Sequence, residues 1–513
     1  MQKEFVLFII LSTVTIFVWF SFFSQQPRQA YQDSVVSANV QCSQTQNENY
    51  VSTTNSEKYT KEEHLNVETN QYKAVFTNRG AAISSWLIKD KNGQWINLVI
   101  SESSPVLINF PNLFYKIVSK SNNKIVFEYV SKDGWKITKI YNLSDTYMHN
   151  LSIIIEKTVN VIVPQIDVKW GPGLGTDNNE LKENIALTRV LACSAEKPHT
   201  LKKLKNDFAL APIHQWAALD NRYFLVAFIP KTPMDFDKII PSRFDKKHPY
   251  SVALTATFPE NVIKKEYSVD FYLGPKHYTH LKTYKLDLEK TVDFGFFGFL
   301  GKIAFAVLTF FHKLTRNYGW SIIMITAAIQ VVILPLTLKS LKSAAAMKRV
   351  QPIVKDIQTK YKDNPQRLKA EMLNVYRTQK VNPLGGCLPM FLQLPIFWAF
   401  FTMLRNAYEL RNEGWILWIK DLSAPDQFMH LGSFSLNLLP IIMGLGMFLQ
   451  QKMTAATSDP TQRKIMYIMP VVFTCMFWSF SSGLVIYWIT SSIFSIIEQY
   501  MVIKKDSVVP IHS

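Results

Sequence analysis

Cysteine is scarce in this chain. The four residues Cys42, Cys193, Cys387 and Cys475 form no Cys-x-x-Cys pair, which excludes a zinc ribbon and a dithiol redox site. Cys42 lies in a polar stretch without periodicity, so no Cys42–Cys193 disulfide is expected. Catalytic signatures are missing too. There is no His-Glu-x-x-His (EEHLN at 62–66 lies in the same polar stretch), no Gly-x-Ser-x-Gly, and no pair of aspartates inside an apolar run. The glycines of GPGLG, Gly171–Gly175, alternate around a proline and open no apolar helix, so they are read as a loop between strands. The formal charge of +17 comes without interleaved aromatics, a finger or a helix-turn-helix pattern, which argues against a nucleic-acid binder. Neither bond chemistry nor a metal or cofactor is expected.

What the chain does have is apolar length. Its hydrophobic content of 48% hides two populations, a polar one over 25–290 and a strongly apolar one over 291–503. Phe5–Phe23 is uncharged for 19 residues, enough to cross a bilayer, and no Ala-x-Ala site follows it. Residues 1–24 are therefore read as an uncleaved anchor and 25–70, rich in Gln, Ser, Thr and Asn, as a flexible linker. Over 71–290, short alternating runs such as KIVFEYV and WKITKIYNL are punctuated by Asn-Gly at 92–93 and Asp-Gly at 133–134. These are hairpin signals, and they predict a large antiparallel all-β sandwich ending near Gly274–Pro275.

Residues 291–316 place Lys302, Thr309, Lys313 and Arg316 near one helical face with Phe and Leu opposite, the pattern of a helix lying in a membrane interface. The segment 339–384 holds eleven Lys/Arg against three Asp/Glu, a balance of 11 − 3 = +8, and marks a cytoplasmic side. It reads as a helical hairpin, interrupted at Pro352 and restarted by Asn364 with Pro365 at the first helical position. Spans are expected at Ser321–Leu338, Leu384–Leu404 and Leu431–Gln451, and Ile465–Ile497 should divide at Ser481–Gly483. With the anchor this gives an α-helical polytopic membrane protein of six spans, both termini inside and the β domain outside. The core occupies 317–505, and 506–513 is a cytoplasmic tail.

Several spans carry polar residues. Thr326, Gln330 and Thr337 share a loose stripe in the second span, and Tyr487, Ser491, Ser495 and Glu498 share one in the last. Gln393 lies in the third. Each alone reads as an interhelical hydrogen bond, worth about 0.6 kcal/mol on average in membranes. Together, beside a basic hairpin, they fit the wall of a hydrated cleft. Thirteen of sixteen methionines follow residue 320, including Met390, Met443 and Met447, and flexible thioethers suit a surface that accepts varied apolar partners.

The runs VNPLGGCLPMFLQLPIFWAFF, LRNEGWILWIKDLSAPD, QKMTAATSDPTQRKIMYIMPVVFT and SSGLVIYWITSSIFSIIEQ resemble the YidC/Oxa/Alb family of membrane protein insertases. Six spans with a β domain after the first are similar to its Gram-negative type. The resemblance implies an inner-membrane protein with a periplasmic sandwich and a five-span insertase core. It implies that nascent membrane proteins are received from ribosomes or the Sec translocon and released into the lipids through a groove open to cytoplasm and bilayer. The family's groove positions fall on Gln330, Thr326 and the pair Tyr487–Trp488; with Gln393 and Ser491 from the polar stripes these make the expected groove, and Met390, Met443 and Met447 are expected to contact apolar substrate. The family pattern puts an arginine five residues before the proline of the second span, and here that position is Gln330. The rival readings are a secondary transporter, which would call for internal repeats and midplane charged pairs that the sequence lacks, and an external chaperone merely anchored by its spans. Deleting residues 60–280 separates the last from an insertase, whose core should still work alone.

Overall fold

Strand β7, Trp135–Asn142, buries every second side chain, and that alternation is how most of the β region is built. The structure, a computed structural model, describes residues 61–100, 106–107, 110, 112–176, 187–193, 198–200, 215–243, 250–362, 364–379, 388–431, 434–454 and 460–506. The proposed anchor, Cys42, Cys387 and residues 507–513 lie outside the described residues.

The strands before and after β7 are β1 His64–Glu68, β2 Tyr72–Thr77, β3 Ala82–Lys89, β4 Trp95–Asn97, β5 Lys116–Lys120, β6 Lys124–Val130, β8 Met148–Lys157 and β9 Ile166–Trp170. They are followed by β10 Arg189–Cys193, β11 Pro198–Thr200, β12 Trp216–Asp220, β13 Phe224–Pro230, β14 Lys238–Arg243, β15 Tyr250–Ala256 and β16 Lys264–Pro275. A nine-stranded sheet runs β11-β10-β12-β13-β16-β8-β7-β6-β5, with a four-stranded sheet β1-β2-β3-β4 and a three-stranded sheet β14-β15-β9. All the pairings are antiparallel. Gly93 and Gly134 hold positive φ in the β3–β4 and β6–β7 turns, as the Asn-Gly and Asp-Gly pairs require. β1 corrects the linker boundary at residue 70. In HLNVE, Leu65 and Val67 point into the core while their neighbours face out, a period-2 signal too short to stand out from its polar surroundings.

The expected alternation fails in β12 and β13, where every side chain is buried. Ala217, Leu219, Phe224, Val226 and Phe228 face the sandwich core, with Trp86, Trp170 and Tyr141. Trp216, Ala218, Leu225, Ala227 and Ile229 face a second core formed with the helices. These two strands are a wall shared by the β region and the helical region. Cys193 at the end of β10 donates to Gln215 Oε1 at 3.1 Å.

Among the described residues eight α-helices follow: α1 Tyr278–Thr283, α2 Gly298–Thr315, α3 Tyr318–Lys360, α4 Pro365–Thr378, α5 Leu388–Asn406, α6 Leu438–Thr454, α7 Pro460–Met476 and α8 Ser482–Asp506. α2 packs Gly301, Ala304, Phe305 and Leu308 inward and leaves Phe299, Ile303, Phe310 and Leu314 exposed beside Lys302 and Lys313. α3 runs 43 residues, roughly 65 Å at 1.5 Å per residue, straight through Pro335 and Pro352. The expected boundary at 339 and the interruption at Pro352 are therefore corrected. Each proline deletes one hydrogen bond, and the Leu-, Lys- and Ala-rich flanks carry the helix across the gap. The hairpin's return arm is α4, capped by Asn364 Oδ1 on Arg367 N at 3.1 Å. Val350 and Val354 pack there against Met347, Met372, Val375 and Tyr376. The apolar run after 465 breaks between α7 and α8, where Ser482 N and Gly483 N donate to Ala424 O and Leu422 O. By length and composition Gly298–Thr315, Tyr318–Met347 and Ser482–Val502 can cross a membrane, and Leu438–Met453 and Met466–Ser479 are shorter apolar helices.

Candidate functional site

α3 and α8 lie side by side and parallel, in a register that joins the two polar stripes. Gln330 Nε2 donates to Ser491 Oγ at 2.5 Å across a separation of 161 positions. The Glu498 carboxylate meets the Thr337 hydroxyl, and 498 and 337 differ by the same 161. Ile322 abuts Gly483, again 161 apart, where a Cβ would come 3.1 Å from Ile322 Cδ1. Gln330 and Thr337 are seven residues apart, as are Ser491 and Glu498. Two helical turns bring each stripe back to the same face, so parallel neighbours meet at both rungs.

α5 joins the same stripe one turn earlier on α8. Gln393 Nε2 donates to Tyr487 OH at 2.7 Å, and the Tyr487 ring stacks on Phe400 with centroids 4.7 Å apart. Trp488, the next residue, sits among Phe397, Phe473 and Phe477 at 5.3–5.9 Å. Thr326 does not join the ladder. It is buried and returns its hydroxyl to Ile322 O at 2.6 Å within its own helix. The structure thus brings Gln330 to Ser491 and Gln393 to Tyr487 around α8, with Gln330 only 5% exposed. Gln393, Trp488 and Ser491 keep partial exposure.

The methionines divide differently. Met443 is fully buried, and the Met390 side chain lies outside the described residues. Met447 borders a recess of about 250 Å³ between α6 and α7, with Gln450, Gln451 and Met466. Gln451 Oε1 is buried there without a partner. Gly444 makes this crossing close, since a Cβ would fall 2.1 Å from Thr474 Oγ1. Among the described residues no cluster of three His, Cys, Asp or Glu could hold a metal.

A second polar cluster fastens the β region to the loop after α5. Asp90, at the end of β3, accepts from Tyr408 OH at 3.0 Å, Arg411 Nε at 2.9 Å and Asn412 Nδ2 at 2.8 Å. Arg222 in the β12–β13 turn donates to Arg405 O at 2.8 Å, and Lys91 to Glu409 O and Glu413 Oε1. Glu409 accepts from Tyr278 N at 2.9 Å, and burial pushes its carboxyl up to about 7. Sequence reasoning missed this cluster because its partners lie between 131 and 322 positions apart and form no local pattern.

Residues 310–508 match the 60Kd inner membrane protein family, and residues 113–307 match the YidC periplasmic domain. A protein of Endomicrobium trichonymphae named membrane protein insertase YidC is 67% identical over the whole of both chains. The chain belongs to the YidC family. A further YidC insertase, from Syntrophus aciditrophicus, is 33% identical over 87% of this chain and 86% of its own. A crystal structure described as active YidC insertase with the first transmembrane domain resolved aligns over 85% of this chain and 92% of that chain. Its sequence identity is 19% and its TM-score 0.38. As a member of that family, the protein is a membrane insertase and not an enzyme, its substrates are membrane proteins, and its β-rich part includes the family's periplasmic domain.

Proposed function

We propose that insertion proceeds along the face where α3, α5 and α8 meet, and that hydrogen bonding rather than fixed charge makes this face passable. The observation that carries the reading is the ladder on α8, where three helices direct carboxamide, hydroxyl and carboxyl groups at one stripe. Polar groups of an incoming chain, each costing several kcal/mol in hydrocarbon, would exchange hydrogen bonds with Gln330, Ser491, Gln393 and Tyr487. Trp488 flanks the route, and Met447 and Met390 supply adaptable apolar contact, while the buried Met443 packs behind them in the core. Burial of the substrate's own apolar segment supplies the driving force.

The accompanying topology is six spans with both termini cytoplasmic, in the inner membrane. The +8 stretch 339–384 then faces ribosome and nascent chain, and the β domain lies on the periplasmic side toward Sec components. α2 lies in the interface rather than crossing. Its three faces (one against the protein, one with Lys302 and Lys313, one with Phe299, Ile303, Phe310 and Leu314) suit a helix that meets protein, headgroups and acyl chains at once. Site-specific photocrosslinking to a stalled nascent membrane protein tests the route. Probes at 393, 488 and 491 should capture the chain, and capture only from lipid-facing Val332 would refute it.

A further inference from the structure

The loop after α5 ends in an exposed apolar tip. Leu417 is 83% exposed and holds a left-handed φ of +56°, and Ile416 beside it is also exposed. A leucine in that conformation, turned outward, departs from both backbone preference and burial. The base of the tip is closed by backbone hydrogen bonds, with Trp415 N donating to Ile419 O, Ile419 N to Ile416 O and Leu422 N to Glu413 O.

Aromatic rings flank the tip on both sides. Trp415 packs edge-on against Trp320 with centroids 5.5 Å apart, and Trp418 against Phe428 at 5.1 Å. Trp320, Phe428 and Met429 are themselves well exposed, and Lys420 stands next to the tip in solvent. Exposed indoles around aliphatic residues, with a cation beside them, match the composition of a membrane–water boundary.

The position of the tip is fixed by α3. Asn317 caps that helix through Gly319 N and Trp320 N, and its Nδ2 donates to Gly414 O at 3.3 Å. Trp415 lies directly over Gly319, where a Cβ would come within 2.2 Å of the indole. The tip thus sits level with the first turn of the apolar stretch Tyr318–Met347.

We infer that Ile416 and Leu417 insert into the outer leaflet, anchoring the external end of the helical core in the lipid. This goes beyond the insertion route and rests on α3 crossing the membrane with its first turn on the outer side, as in the topology proposed above. Lipid is the fitting partner because the tip continues the apolar surface of a span and projects from its outer end, within a boundary of indoles.

The test uses the full-length chain in liposomes with its native cysteines replaced and one nitroxide label at Leu417, Val332 or Asn92. Val332 is a 76% exposed residue of α3, and Asn92 is exposed in the β3–β4 turn near Glu413. A label at 417 should be relaxed by oxygen as at 332 and be several-fold less accessible than at 92 to a water-soluble nickel chelate. Aqueous accessibility equal to that at 92 overturns the proposal. So does shielding from both agents, which would mean a protein covers the tip. If the 332 label itself is water-accessible, it is the spanning of α3 that fails. Leu417→Asp gives a second reading that does not depend on labelling. The variant should fold, since the side chain touches little, and should lose quenching of the tip's tryptophans by brominated lipid. Unchanged quenching again overturns insertion.

Discussion

Gln330 on α3 donates to the hydroxyl of Ser491 on α8, joining two polar stripes that are 161 positions apart in sequence. The contact shields a carboxamide that would otherwise stand in hydrocarbon, and it puts no fixed charge at this rung. Gln330→Leu removes the donor but keeps the volume. About 0.6 kcal/mol of helix association should be lost, well short of unfolding. Insertion of substrates with polar or charged tails should fall, while that of short, wholly apolar ones should hold. Gln330→Arg should improve substrates with acidic tails and leave neutral ones nearly unchanged. Reconstituted insertion assays over a tail series measure both. Equal insertion of every substrate by Gln330→Leu would remove this residue from the route.

The buried pair Asp90–Arg411 makes a different demand. Their side chains are 0% and 3% exposed, and Tyr408 and Asn412 complete the carboxylate's hydrogen bonds. Arg411→Met strands a buried carboxylate and should destabilise the junction by about 3–5 kcal/mol, whereas Asp90→Leu with Arg411→Met should recover most of that loss. Limited proteolysis of the loop at 405–426 reports the difference. The same pair alters the expectation for a core-only protein. Deleting residues 60–280 leaves Arg411 without its carboxylate and also strips β12 and β13 from the helical core. Such a protein should insert poorly, because the apolar face that β12 and β13 cover is laid bare, and full activity of the simple deletion would show that the junction is dispensable.

The parts of the fold legible in the sequence are those written locally. Asn-Gly and Asp-Gly marked two hairpins, Asn364–Pro365 marked a helix start, and Ser481–Gly483 marked the break between α7 and α8. β12 and β13 were missed because strands buried on both faces lose the period of two, and FLVAFIP reads equally well as a piece of helix. The unbroken course of α3 was missed because a proline signals an interruption that neighbouring helix formers can override. For the site, the residue types and stripes were visible, but their pairing was not. Only the packed helices reveal that Thr326 satisfies itself while Gln330 crosses to α8.

His149 on β8 should make the β domain acid-labile. Its Nδ1 accepts from Ser144 N at 3.2 Å, so the neutral ring carries its proton on Nε2, which is buried without a partner among Tyr72, Trp86 and Phe271. Burial lowers its pKa to about 3, against an ordinary value near 6.5. Between those values the unfolded chain binds the proton and the folded one does not, so stability falls as pH falls from 6.5 toward 3. The full effect is of order 5 kcal/mol. Urea unfolding followed by tryptophan fluorescence should show this decline, and His149→Phe should flatten it within that window. An unchanged slope in the variant would assign the lability to another group.

Gly319 tests whether the outer loop is positioned by close packing. A Cβ there would fall 2.2 Å from the Trp415 ring, a distance that no rotamer change of a single methyl can relieve. Gly319→Ala should therefore push Trp415 off α3, break the Asn317–Gly414 hydrogen bond and cost about 1–3 kcal/mol, the usual penalty of overpacking. Gly414→Ala lies in the same loop, but its nearest neighbour would be an ordinary 3.4 Å away, and it should be close to neutral. Thermal unfolding of the two variants in one detergent separates position from composition, because both make the same chemical change. Equal melting temperatures would mean that Trp415 yields freely and that α3 does not set the height of the loop.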